Sequence, residues 1–358
     1  MAEEDFPPSG GVMGMLEKNS SDVILSEQTQ LQLFTPIISR LISAFYILVL
    51  CIGLPANGFA LWAMVRESKK PSTIFLMNLA VADLLLSLVL PFKIHYHILG
   101  NNWLFGEALC RTVTAFFYGN MYCSVLLLTF ISIDRYFALV HPFLSKRFRD
   151  NSFAVGSCCV IWVIVVLSVI PFLLMEQSFD IHGLNITTCH DVYLEKTQFV
   201  YFYYWLVVVI VGFLIPSLIT IFCHSFVIRA LTVSDVKYKK AARVTLMLLF
   251  VYLVCFTPSN TVLLVHQWIP DLHKYYSFFL PLSTFNGCFD PFLYYYVSED
   301  CRNRVKTMLR INTFQSSSIS QRSTKVELTT PMFSAPQSSG SVCHVCRDSN
   351  KTTPRMEH

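Results

Sequence analysis

Two aspartates stand where a carboxylate is expensive. Asp83 and Asp290 each lie inside a long run of apolar residues. A charge at membrane depth costs several kcal/mol and is kept where it does something. Asn57, Ser124 and Asn286 add neutral oxygens in similar settings. Together the five could form an oxygen cage for a small hard cation, a candidate sodium ion at Asp83. The same groups could instead satisfy one another in a hydrogen-bond network that fixes helix register. Both readings stand on chemistry alone.

A second constellation is Asp134-Arg135-Tyr136, which closes the third apolar run. Cys110 opens that run 25 residues before Arg135. At 1.5 Å per helical residue the separation is about 37 Å, enough to cross a bilayer. The two ends therefore face opposite compartments. Cys189 is the other cysteine in a loop on the side of Cys110, and disulfides persist on the extracellular side. A Cys110–Cys189 bridge would pin that loop to the top of the third run; the alternative is a pair of free thiols.

These residues need elements that hold them. Of the 358 residues, 54% are hydrophobic and 14% charged, against roughly 45–50% and about 25% in soluble domains. Composition asks for a membrane protein. Seven apolar stretches, near 41–65, 74–99, 108–140, 153–175, 199–228, 241–265 and 278–297, each reach the ~20 residues a spanning helix needs. The expected fold is all-α, a seven-transmembrane helix bundle. Residues 1–40 form an outer tail, 41–297 the membrane domain, 298–312 a short amphipathic eighth helix along the inner surface, and 313–358 a disordered tail with 16 Ser/Thr. Prolines at 55, 91, 171, 216, 258 and 291 sit inside six of the spans, where each removes a backbone hydrogen bond and permits a kink.

Lysine and arginine set the orientation. One set of loop ends holds 16 basic residues, the other six. The rich side is cytoplasmic, so the N-terminus is extracellular and the chain is a multi-pass plasma membrane protein. The sequons at Asn19 and Asn185 both fall outside. Residues 1–30 carry no basic region followed by an apolar one, so the first span is expected to act as its own signal anchor, unless the true first exon differs. A net charge of +4 without a basic tract gives no reason to expect nucleic acid.

The motifs resemble those of the rhodopsin-like G protein-coupled receptors: Gly53-Leu54-Pro55-Ala56-Asn57, Leu79-Ala80-Val81-Ala82-Asp83, Asp134-Arg135-Tyr136, Trp162, Pro216, Phe256-Thr257-Pro258 and Asp290-Pro291-Phe292-Leu293-Tyr294. Within that class the outer loop Asn185-Ile186-Thr187-Thr188-Cys189-His190-Asp191-Val192 is similar to that of the proteinase-activated receptors, and to their trypsin-responsive member in particular. The segments at 95–103, 116–123, 255–260 and 290–298 agree.

The resemblance implies a mechanism. An extracellular serine protease cuts the outer tail, and the new N-terminus folds back as a tethered peptide agonist at an effective concentration of roughly millimolar. Lys18 is the only basic residue ahead of the membrane edge, so Lys18 and Asn19 form the candidate cleavage site. The new ammonium would favour His190, Asp191 and Glu195, with Tyr96, His266 and Tyr276 lining the mouth; the plainer alternative makes these ordinary loop residues. Inside, the sixth span would swing about Pro258 beside Phe256. Arg135 would release Asp134 and, with Tyr136 and Tyr294, engage a heterotrimeric G protein. His224 stands where the family carries tyrosine, which would give Tyr294 an imidazole neighbour. Arrestins and receptor kinases would meet the Ser/Thr-rich tail, and membrane lipid the spans.

The runner-up is a receptor of the same class for a soluble peptide, nucleotide or lysolipid. Channels and transporters would need tracks of charge, and two interior aspartates are too few. A retinal pigment would need a lysine deep in the seventh span, whereas Lys274 sits at its edge. No Ser/His or paired catalytic constellation points to an enzyme, and no cofactor is expected beyond the candidate sodium.

Overall fold

The computed structural model describes residues 12–16, 23–24, 36–66, 70–141, 143, 150–194, 198–233, 239–265 and 273–297. All belong to the compact unit formed by residues 1–305. The expected helix at 298–312 and the tail at 313–358 lie outside the described residues.

The apolar runs form helices α1 (Pro36–Val65), α2 (Pro71–Ile98), α3 (Gly106–Leu139) and α4 (Asn151–Leu174). Helix α5 is made of Gln198–Val209 and Ile215–Val233 joined by a π-helical turn, and α6 is Lys239–Val265. Among the described residues these six are long and apolar enough to cross a membrane. The seventh, α7, comes in two pieces, His273–Thr284 and Asn286–Val297. Around Phe285 they are linked by tight i→i+3 bonds, Phe285 N–H to Leu282 O (3.1 Å) and Cys288 N–H to Phe285 O (3.0 Å).

The spans agree with those expected from sequence to within a few residues. Helix α1 begins at Pro36 rather than 41, and α2 at Pro71 rather than 74; proline suits a first turn, where its missing N–H has no partner to lose. Helix α3 is the central member, with 72% of its spanning window buried against 28% for α4. The exposed face of α4 carries Val160, Val163 and Leu167, an apolar surface that suits lipid and would be a liability in water. In α5 the π turn at Ile210–Leu214 precedes Pro216, which cannot donate. The turn presses Gly212 against α3, where an added Cβ would lie 2.9 Å from the Tyr122 ring. That contact requires glycine.

The outer side carries a feature the all-helical expectation omitted. Strands β1 (Val12–Leu16), β2 (Val23–Ile24), β3 (Ser178–Ile181), β4 (Ile186–Cys189) and β5 (Val192–Leu194) form one sheet in the order β4-β3-β2-β1-β5. The long loop after α4 supplies the β3–β4 hairpin, with Ser178 opposite Cys189 and Ile181 opposite Ile186. The N-terminal tail supplies β1, antiparallel to β2 and parallel to β5, while β2 runs parallel to β3. β-branched residues at 186–188 favour the extended form, and the tail adds strands to the hairpin by backbone pairing.

Candidate functional site

Three polar clusters follow the axis of the bundle. The outermost is built on the disulfide Cys110–Cys189, with Cα atoms 5.8 Å apart. It fastens the end of β4 to the top of α3, as the sidedness of the two cysteines predicts. Past Cys189 the backbone turns at His190, whose φ is 70°. This turn drives the His190 side chain inward. Nδ1 meets Gln177 Oε1 at 2.7 Å, Nε2 meets Tyr118 Oη at 3.0 Å, and the backbone N–H donates to Gln177 O at 2.7 Å. Gln177 in turn donates to Tyr201 Oη at 3.0 Å. The His190 ring also packs edge-on against Tyr118 and Phe172. His190 is therefore a buried tie between the loop, α3 and α5.

Asp191 is placed differently. It is partly buried, and Tyr96 Oη donates to its Oδ2 at 2.5 Å. The same hydroxyl oxygen accepts from Cys189 N–H at 3.4 Å. Burial raises the Asp191 carboxyl above the ordinary carboxylate range, and the Lys93 charge and the Tyr96 hydroxyl offset part of that rise. Glu195 and His266 lie outside the described residues, and of Tyr276 only the backbone, in α7, is described. The structure thus brings Tyr96, His190 and Asp191 together.

Two participants are not singled out by the sequence. Glu107, in the first turn of α3, pairs with Arg111 and accepts from Gln177 N–H (2.9 Å) and Ser178 N–H (2.7 Å). It anchors the start of β3 to α3. Lys93 reads in the sequence as one more cation at an outer helix end, yet it is only 8% exposed. Its Nζ lies 5.8 Å from the centre of the Tyr96 ring.

The second cluster lies at mid-bundle. Asp83 Oδ1 accepts from Asn120 Nδ2 at 3.2 Å, and Asn286 Nδ2 donates to Asp290 Oδ2 at 2.9 Å. Asn57 Nδ2 donates to Gly287 O at 2.9 Å, and Tyr294 Oη donates to Asn57 Oδ1 at 3.1 Å. An added Cβ on Gly287 would lie 3.2 Å from Asp83 Cγ, so the glycine lets α7 close onto α2. Asp83 and Asp290 are close enough to act on each other electrostatically. Two ionised carboxylates offer only acceptors, so a shared proton or a cation would ease their approach. The buried Asp83 Oδ2 and Ser124 Oγ have no hydrogen-bond partner. Orphaned oxygens beside two carboxyl groups are a donor set that fits a hard cation. Asn57, Asp83, Ser124, Asn286 and Asp290 are the five members expected from sequence; Asn120 is the added one.

The third cluster leads to the inner face. Phe256 is fully buried beside Tyr252, two residues before Pro258 within α6. Tyr122 Oη donates to Asn260 Oδ1 at 3.2 Å. Tyr252 and Ser217 share a hydrogen bond of 3.0 Å, tying α6 to α5. His224 Nδ1 meets Thr220 O at 3.0 Å, and His224 lines a cavity of about 30 Å³ with Tyr252, Asn286 and Asp290. At the end of α3, Ser72 Oγ donates to Asp134 Oδ2 at 2.6 Å. Tyr136 bonds His141 at 3.0 Å and packs against Phe222 and Phe226 of α5. Arg135 sits between these two anchored neighbours in the chain.

Comparison with known proteins matches residues 56–294 to the family described as 7 transmembrane receptor (rhodopsin family). Bovine proteinase-activated receptor 3 is 38% identical over 306 residues, covering 83% of this chain and 81% of the relative. Mouse proteinase-activated receptor 4 is 41% identical over 319 residues, covering 85% and 79%. Human proteinase-activated receptor 2 is 42% identical over 279 residues, covering 74% and 70%.

Proposed function

The chain belongs to the rhodopsin family of seven-transmembrane receptors and, within it, to the proteinase-activated receptors, and from that premise we propose that cleavage after Lys18 frees Asn19 as the first residue of its tethered agonist. The protein is a G protein-coupled receptor activated by proteolysis, a signalling receptor and not an enzyme. It is a multi-pass plasma membrane protein. Its relatives disfavour the soluble-ligand alternative. The observation that carries this reading is the 38–42% identity to proteinase-activated receptors over most of the chain.

The geometry supplies support for the finer steps. Lys18 and Asn19 lie between β1 and β2, outside the described residues, and β2 pairs with the loop strand β3. The segment kept after cleavage thus carries a strand, Val23–Ile24, paired with the loop that would receive it. Asp191, held by Tyr96 and the disulfide, takes the new ammonium. The tail is extracellular, with Asn19 and the exposed Asn185 as glycosylation acceptors. Phe256 and Pro258 let α6 swing, and Asp134, Arg135, Tyr136 and Tyr294 open to the G protein. This is a two-state shift toward the form that the agonist binds better. Asp83, Asp290 and Ser124 hold an allosteric sodium ion, with Asn57 and Asn286 as neighbours. Receptor kinases and arrestins act on the Ser/Thr-rich tail, and lipid covers the spans.

The test is trypsin acting on wild-type and Lys18→Ala receptors, with N-terminal sequencing of the receptor before and after. Wild type is expected to signal and to show a new Asn19 terminus. Lys18→Ala is expected to stay silent with trypsin yet answer a free peptide of residues 19–24. A Lys18→Ala receptor that signals normally with trypsin moves the cleavage site elsewhere.

A further inference from the structure

Lys93 is a largely buried lysine whose ammonium has no direct partner among the described residues. It is 8% exposed, and among the described residues its Nζ makes no hydrogen bond to protein and no ion pair within 4 Å. Burying an ammonium is costly unless it is paired. Two weaker supports are present. The Tyr96 ring lies 5.8 Å away, at the edge of cation–π range. Asp191 attracts it through space, but the near oxygen of that carboxylate is already taken by the Tyr96 hydroxyl at 2.5 Å. The outer cluster therefore sets a lysine and a carboxylate on either side of one tyrosine.

Separated charges select for a ligand with separated charges of the reverse order. An agonist that brought only an ammonium to Asp191 would offset the field that compensates Lys93 and leave its ammonium without a counter-charge. A complementary agonist also carries an anion. The segment exposed by cleavage after Lys18 has one: Asn19-Ser20-Ser21-Asp22-Val23-Ile24 contains a single carboxylate, at Asp22, three residues from the new terminus. An extended peptide separates these groups by about 10 Å, at ~3.3 Å per residue, and a bend shortens this.

We propose that Lys93 is an anion subsite of the agonist pocket, which pairs with the Asp22 carboxylate while Asp191 holds the Asn19 ammonium. The assignment rests on cleavage after Lys18. It makes the pocket selective for a peptide that is zwitterionic over its first four residues.

The experiment compares two amidated peptides, residues 19–24 with Asp22 and the same peptide with Asn at that position, by potency on full-length receptor in a G-protein assay. Wild type is expected to prefer the acidic peptide by roughly tenfold or more, as charge pairs across buried interfaces do. Lys93→Met is expected to abolish the preference, and Lys93→Glu to favour a peptide with lysine at the fourth position. Because the first comparison changes only the ligand, it does not depend on a variant folding; surface antibody staining checks the receptor variants. Equal potency of the two peptides on wild type overturns the subsite and leaves the cleavage reading standing. A preference that survives in Lys93→Met also overturns it, since Lys93 would then be only a counter-charge to Asp191. If trypsin evokes a signal but neither peptide does, cleavage after Lys18 is wrong and the subsite falls with it.

Discussion

The outer and middle clusters handle buried polarity in opposite ways. Around Asp191 and His190 nearly every group has a partner, and the partners come from different elements: Gln177 and Cys189 from the loop, Tyr96 from α2, Tyr118 from α3, Tyr201 from α5. A covalent bond locks the whole. Around Asp83 the partners are fewer, and two buried oxygens, Asp83 Oδ2 and Ser124 Oγ, have none. Satisfied networks are rigid, and partly satisfied ones are where a second arrangement or a bound ion can be accommodated. The outer cluster is built as a template, and the middle cluster leaves room for a second arrangement.

The largest effect should come from breaking the template. Cys189→Ala removes the bond between α3 and the loop across 79 residues of sequence. Loss of a native disulfide costs about 2–5 kcal/mol. It also frees β4, and with it the turn that aims His190 and Asp191. Surface expression and peptide potency should both fall sharply, while Cys51→Ala, an exposed free thiol on α1, should change neither. If Cys189→Ala retained full potency, the outer cluster would not depend on the bond.

The middle cluster should respond to ions instead. A cation held between Asp83 on α2 and Asp290 on α7, as proposed, would favour the arrangement that keeps these helices together. By linkage, sodium at ten times its dissociation constant would stabilise the receptor by about 1.4 kcal/mol. Thermal unfolding of detergent-solubilised receptor should rise in sodium chloride relative to choline chloride at equal ionic strength. Asp83→Asn should remove the difference. The same rise in Asp83→Asn would place the effect elsewhere.

The two clusters were not equally legible in the sequence. Asp83 and Asp290 stand out because a carboxylate among apolar residues is too costly to persist without a role. Cys110 and Cys189 were legible from helix length and sidedness. Asn120 was not separable from Ser124, since the two lie four residues apart and share a face of α3. Lys93 reads as a surface cation because it sits near a helix end, and only packing by Tyr96 and the loop buries it. His190 and Asp191 are adjacent and polar, so nothing in the sequence says that one turns inward and the other toward the pocket; the left-handed backbone at His190 decides that. The sheet was invisible for the same kind of reason. Its strands are two to five residues long, and two of their four pairings reach across more than 150 positions, so local periodicity carries little of the signal.

The smallest effect expected is a pH dependence that acts on the outer cluster alone. Burial raises the Asp191 carboxyl above its ordinary range. Its folded-state pKa exceeds the unfolded one. The folded state therefore binds more protons across that interval, and stability falls as pH rises through it. Agonist binding has the opposite sign, because the Asn19 ammonium attracts Asp191 only when it is ionised. Acidification should thus stabilise the empty receptor slightly while weakening the peptide of residues 19–24. The loss of potency should begin at a higher pH than an ordinary carboxylate would give, because Asp191 takes up its proton at a higher pH. Lys93 and Tyr96 face the same carboxyl and already offset part of its burial, which keeps the effect modest. Asp191→Asn should lower potency at every pH and flatten the profile. A profile unchanged by Asp191→Asn would assign the titration to another group and remove Asp191 as the site of the ammonium.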